Sequence, residues 1–283
     1  KAYQLMDYIK EQLEKFCTDW SIKAILNNEN QIRFSESQID INKNWNEIKF
    51  ILFLSHRRRT LDITINDLRP KAIDKSLQNC EKLLKMAKLN INYKKMAEGP
   101  FDYNPLVQQN IYDDKVVNLD ETAVDLVNNA AEAALNEGAN RVAGSFFHGF
   151  TKVIQRNSLG LKGSYNKTSL NFRIRAFAKD MYATGEAISC STHLDHGFSA
   201  IDAGREAGMI CKQAVGGKKG KPGMYNIIIY PKVSTELQAP TPSIAMNRYT
   251  QKTGLAWLVG KKEGGTIANH NITVWDDGTK DYG

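Results

Sequence analysis

Apolar residues in this chain recur with two different periods, and the order of those periods is the strongest constraint on its fold. Tyr3, Met6, Ile9, Leu13 and Phe16 fall three or four residues apart with Lys and Glu between them, the stripe of an amphipathic helix. The period then drops to two. Ile22, Ala24 and Leu26 share one face, the Asn27-Asn28-Glu29-Asn30 cluster has the composition of a turn, and Ile32 with Phe34 resumes the alternation. Ile39-Asp40-Ile41, Glu47 to Ser55 and Thr60 to Ile65 continue it, which predicts an antiparallel meander. His56 with Arg57-Arg58-Arg59 falls at a hairpin bend, where a charged tip is the ordinary reading and an anion site the alternative. Asp67 is placed as the N-cap of a second helix with Pro70 in its first turn, running to about Lys88.

Tyr93 to Asn118 has no clear period and contains Gly99-Pro100 and Asn104-Pro105, so 93–118 is expected to be a linker. Asp120 caps an Ala-rich helix from Glu121 to Glu137, closed by Gly138. Alternation returns at Arg141 to Phe150, Thr151 to Gln155, Ser169 to Phe177 and Met181 to Ser189, followed by a helix from Phe198 to Val215. A strand at Tyr225 to Tyr230, a helix at Ser243 to Val259 and a short strand at Ile272 to Trp275 complete the pattern. Strands and helices come in blocks rather than in strict alternation, so the expected class is α+β with largely antiparallel sheets covered by helices. Two domains are expected, residues 1–92 and 119–283, the second of them incomplete.

With 283 residues the chain is long enough to bury about 75% of its unfolded surface. Its apolar runs are too short for a membrane span, and charges throughout Lys1 to Lys15 exclude a signal peptide. The first residue is not Met, so the native N-terminus is expected upstream. Cys17, Cys80, Cys190 and Cys211 are far apart, with no C-x-x-C, which fits reduced thiols and a cytoplasmic location. Lys and Arg outnumber Asp and Glu by 38 to 31, a net charge of +7 that permits an acidic partner without requiring one.

Enzyme signatures mostly fail. The loop Gly216 to Pro222 has the wrong spacing for a phosphate-binding loop, Pro222 replaces its Ser or Thr, and it precedes a strand. There is no G-x-S-x-G elbow. His193 and His196 form the one close histidine pair and, with Asp195 between them, are candidate metal ligands. They fall in a polar turn between a strand and a helix, where a plain connector is the competing assignment. Arg156-Asn157-Ser158-Leu159-Gly160 has the Asn and Gly of a tight turn, because both tolerate left-handed backbone angles.

Taken in order, several pieces resemble the TldD/PmbA (TldE) family. They are the Asn157-Ser158-Leu159-Gly160 turn, Thr168, Ile201-Asp202, Gly223-Met224-Tyr225-Asn226-Ile227-Ile228-Ile229 with Pro231, and Ile272-Thr273-Val274-Trp275-Asp276-Asp277. Asn157, Ser158 and Gly160 mark the family's turn. Members were once described as modulators of DNA gyrase and are now regarded as peptidase subunits. The resemblance implies that catalytic, TldD-like members carry H-E-x-x-x-H on a helix after a strand ending in Pro, two imidazoles holding zinc while the carboxylate acts as base. Here that stretch runs Pro231-Lys232-Val233-Ser234-Thr235-Glu236-Leu237-Gln238, with no histidine between His196 and His270. The resemblance therefore points to the TldE/PmbA-like branch, with no catalytic residue, cofactor or metal of its own. It implies a partner, either a TldD-like protease subunit or a second copy of this chain, and an extended peptide as ligand. The family continues well past the Asp-Asp pair, so the chain is expected to be C-terminally short. Two other readings stay open: a peptidase with a divergent metal site on His193 and His196, and a nucleic-acid-associated gyrase modulator.

Overall fold

The computed structural model describes residues 2–103, 110–179, 182–238, 241–262 and 264–275. They fall into two compact units, one up to Gly217 and one from Lys218 onward. In the first, helix α1 (Ala2–Leu13) is followed by strands β1 (Asp19–Ser35), β2 (Gln38–His56) and β3 (Arg59–Ile65), then helix α2 (Pro70–Met86). After the short helix α3 (Asp114–Val117) and helix α4 (Thr122–Asn136) come β4 (Arg141–Asn157), β5 (Lys162–Phe177), β6 (Thr184–Ser191) and helix α5 (Ala200–Ala214). The six strands make a single antiparallel sheet in the order β3-β2-β1-β4-β5-β6. The architecture is α+β.

Strand alternation puts most of the buried apolar groups of the sheet on one face. Trp20, Ile22, Ala24, Ile32 and Phe34 all occupy even positions of β1, and their neighbours across the ladder (Phe50 and Ile154 opposite Ala24, Phe146 opposite Ile32) are buried with them. Two helix pairs cover this face. Met6, Ile9 and Leu13 of α1 and Ile73, Leu77, Cys80 and Leu84 of α2 pack over one half. Ala123, Val127, Ala130 and Ala134 of α4 and Ala203, Ala207 and Cys211 of α5 pack over the other. Fully buried Phe50, Phe146 and Phe172 contribute about 2–3 kcal/mol each.

This arrangement corrects the expected division of the chain. β1 pairs with β4 from Ser21–Asn157 to Phe34–Gly144, so both halves of the sequence build one sheet and 93–118 is not a boundary. Its described residues strap the sheet instead. Gly99 N donates to Leu159 O at 2.9 Å, the Tyr93 ring lies 5.5 Å from Phe53, and Tyr93 Oη donates to Asp19 at 2.7 Å. Asn104-Pro105 lies outside the described residues. The Asn27 to Asn30 cluster is likewise no turn: β1 runs straight through it, and the chain reverses at Glu36 and Ser37, both with positive φ. The long ladder to β2 and β4 satisfies that backbone on both sides, which overrides the local turn preference.

The second unit holds helix α6 (Pro231–Gln238), a π-helical turn (Thr241–Ala245) and helix α7 (Arg248–Lys252). The strands expected at Tyr225 to Tyr230 and Ile272 to Trp275 are absent, as is the long helix at Ser243 to Val259. Val, Ile and Tyr favour a strand only where a neighbour completes the ladder, and no described segment of this unit pairs with them. Met224 is 100% exposed and Ile228 95%. No helix among the described residues is long and apolar enough to cross a membrane.

Candidate functional site

The Asn157 turn is a junction. Asn157, 8% exposed, accepts from Leu159 N and Leu161 N through Oδ1 at 2.9 Å each, while its Nδ2 donates to Ala97 O at 2.8 Å. Ser158 exchanges bonds with Trp20: its N donates to Trp20 O at 2.9 Å and its Oγ accepts from Trp20 N at 3.1 Å. Gly160 has φ +87°, and Gly99 N donates to Leu159 O at 2.9 Å. These groups are spent on backbone, so the turn's chemistry is to fix the strap onto the β4–β5 hairpin.

His193 and His196 face each other across an isolated antiparallel bridge between β6 and α5. His193 Nδ1 is 3.0 Å from Thr192 Oγ1, Asp195 is ion-paired with Lys115, and Ser191 Oγ donates to His196 O at 2.5 Å. Thr168, fully buried, ties this connector to the chain before α3. Its Oγ1 donates to Thr192 O at 2.7 Å and accepts from Asp113 N at 3.0 Å, and Asp113 accepts from Leu194 N at 2.9 Å. Among the described residues no three His, Cys, Asp or Glu side chains are grouped to hold a metal ion. The pair lies in the connector between β6 and α5.

Midway along the helix-covered face the apolar contacts stop. Between Leu26 and Ile32 that face of β1 carries Asn28 and Asn30, opposite Asn46 and Asn44 of β2, and Asn30 is also opposite His148 of β4. Asn44 Nδ2 donates to Asn28 Oδ1 at 3.1 Å and to Asn30 Oδ1 at 2.8 Å, and Asn46 Nδ2 donates to Asn44 Oδ1 at 2.7 Å. Beside this amide ladder lies a cavity of about 320 Å³, lined among others by Asn30, Asn42, Asp120, Glu121, Val124 and His148. His148 is 4% exposed, and its ring is bonded to the Val116 backbone while Nδ1 has no hydrogen-bond partner among the described residues. Burial pushes its pKa down, against the Val116 bond and the Asp120 charge, so the ring is neutral at pH 7. Asp120 has φ +36°, a conformation uncommon outside glycine. Sequence reasoning took these asparagines for turn chemistry. Their i, i+2 spacing at 28 and 30 and at 42, 44 and 46 was the available signal of one strand face.

The geometry can be compared with solved structures. A proposed modulator of a DNA gyrase from Thermotoga maritima superposes with TM-score 0.74 at 16% identity, over 92% of this chain and 59% of that one. A proposed DNA gyrase modulator from Bacteroides thetaiotaomicron gives 0.79 at 17% identity, over 92% and 60%. TldE from Thermococcus kodakarensis gives 0.65 at 12% identity, over 91% and 58%. The chain has the TldD/PmbA fold. At such identities the likeness is one of fold, and the chain spans about three fifths of the length of the TldD/PmbA-fold structures it matches. No protein-family model and no curated protein sequence matches it.

The TldD/PmbA resemblance directs attention to α6, the helix that begins at Pro231. Its side chains offer one carboxylate, Glu236, and no imidazole. A zinc site of this class needs neutral nitrogen donors spaced along one helical face. The residues present do not fit the ion.

Proposed function

We propose that this chain is a non-catalytic, TldE/PmbA-like subunit of a TldD/TldE-type zinc metallopeptidase assembly, working in the cytoplasm on unfolded or extended peptides. The observation that carries the proposal is α6, a helix where the family's catalytic members place their zinc ligands, built here without a histidine. The TldE and gyrase-modulator structures support the family level of this reading. In such an assembly the chain contributes binding and orientation, and the zinc chemistry belongs to a TldD-like partner carrying H-E-x-x-x-H. Its surface is complementary to that partner or to a second copy, with a total buried area above ~1,000 Å².

Co-expression tests this. The tagged chain is expected to retain a TldD-like partner through size exclusion, and only the pair is expected to hydrolyse casein in a chelator-sensitive way. A strictly monomeric chain with and without the partner, or zinc-dependent turnover by the isolated chain, would refute the assignment.

A further inference from the structure

The sheet is left open along the outer edge of β2. β3 pairs with β2 from Phe50 to His56 only, so between Gln38 and Lys49 no described strand lies on that side. About 40 Å of strand backbone there presents N–H and C=O groups outward. No proline interrupts it. Long open edges of this kind are templates for an added strand.

The cavity of about 320 Å³ opens beside this edge, since Asn42 of the edge strand is part of its lining. Asn30 and Ile32 form its floor, Asp120 and Glu121 stand at the approach to α4, and His148 closes the inner end. Its charged groups among the described residues are both carboxylates, and the neutral ring of His148 carries an Nδ1 that no described residue satisfies. No described Lys or Arg lines it. A buried nitrogen without a partner is costly, and two carboxylates beside it call for a cation.

We infer that the outer edge of β2 takes an extended polypeptide as an added strand, and that the cavity takes a Lys or Arg side chain of that strand. The inference rests on the peptide-binding reading above and assigns it a place and a side-chain preference. An added strand lies about 4.8 Å outside β2 and so roughly 10 Å from β1, where the cavity floor lies. A Lys or Arg side chain crossing over β2 enters the cavity where Asn42 lines it, its charged head turned toward the acceptors. A second copy of the chain does not supply one. The β2 residues on the cavity side are Asn42, Asn44, Asn46 and Ile48, whereas Lys43 and Lys49 alternate to the opposite face. Edge-to-edge pairing of two copies brings amides and an isoleucine to the cavity, and no cation.

The test titrates the full chain with fluorescein-labelled peptides of alternating Thr and Val carrying Lys, Ala or Glu at the central position. Anisotropy reads affinity, and hydrogen exchange reads location. The Lys peptide is expected to bind about tenfold tighter than the Ala peptide, with new protection over residues 38–49. The same peptide N-methylated at alternate backbone positions should lose binding, because it cannot complete a ladder. Asp120→Asn with Glu121→Gln should erase the Lys preference and leave the protection over 38–49 in place. Equal affinity for Lys and Ala in the unaltered chain overturns the inference, as does absence of peptide binding. Protection at the outer edge of β6 instead, or concentration-dependent protection of 38–49 with no peptide, overturns it as well. Co-assembly with a TldD-like partner is measured separately, so loss of the edge site leaves the subunit reading intact, and loss of co-assembly leaves the edge site intact.

Discussion

Burial holds the His148 imidazole neutral, and that makes one side chain responsible for part of the protein's pH response. In the unfolded chain the ring takes up its proton at the ordinary histidine value, about 6.5. Its folded pKa lies lower, so below that value the unfolded state binds more protons than the folded state. The contribution to stability is therefore complete above about pH 6.5 and is lost as pH falls below it. The urea midpoint is expected to drop between pH 7 and pH 5, and to drop less in His148→Gln over the same interval. Parallel slopes for the two proteins would assign the pH response to other groups. None of this was legible in the sequence. A histidine in a run of Phe and Gly shows the composition of a strand, and whether its nitrogens find partners depends on Val116 and Asp120, which the fold brings from another element.

At the scale of elements, α4 and α5 approach closely through small residues. A Cβ on Gly204 would lie 2.1 Å from Ala130 O, and one on Gly208 would lie 2.6 Å from Ala134 O. Both obstacles are backbone, so the helices themselves would have to separate. Gly204→Ala gains up to about 1 kcal/mol of helix propensity, but overpacking of this kind costs about 1–3 kcal/mol. The clash is expected to win, lowering the thermal midpoint in circular dichroism, whereas Gly220→Ala, with open space around it, should leave the midpoint unchanged. An equal or higher midpoint for Gly204→Ala would mean that the two helices slide apart freely. The helices themselves could be read from sequence to within a few residues, because caps and a 3.6-residue stripe are local signals. The contact between Gly204 and Ala130 could not, since nothing local pairs one small residue with another so far along the chain.

For the whole molecule, the decisive fact is that residues up to Gly217 form one layered body on one sheet, whereas the unit from Lys218 onward buries little apolar surface. Trypsin is expected to cut first at Lys218 and Lys219, both exposed in the loop after α5, and to leave a folded product ending there. Lys94 and Lys95 are exposed too, but Tyr93 and Ala97 pin the backbone around them to the sheet. Early cleavage at Lys94 or Lys95 would restore 93–118 as a mobile linker and contradict the strap.

The sequence by itself determined the α+β class, the amphipathic helices, the Asn157 to Gly160 turn and the absence of imidazoles from Pro231 to Gln238. Each of these is written in neighbouring residues, as a period, a cap or a missing donor. Only the tertiary structure decided that β1 pairs with β4, that Asn28 and Asn30 belong to a strand, that Tyr93 packs on Phe53 and that β2 keeps an open edge. Those outcomes depend on which distant strand completes a ladder, and a backbone hydrogen bond carries no record of its partner in the side chains that flank it. The same reason explains Tyr225 to Tyr230, whose residues favour a strand and whose own unit holds no described segment to pair with them.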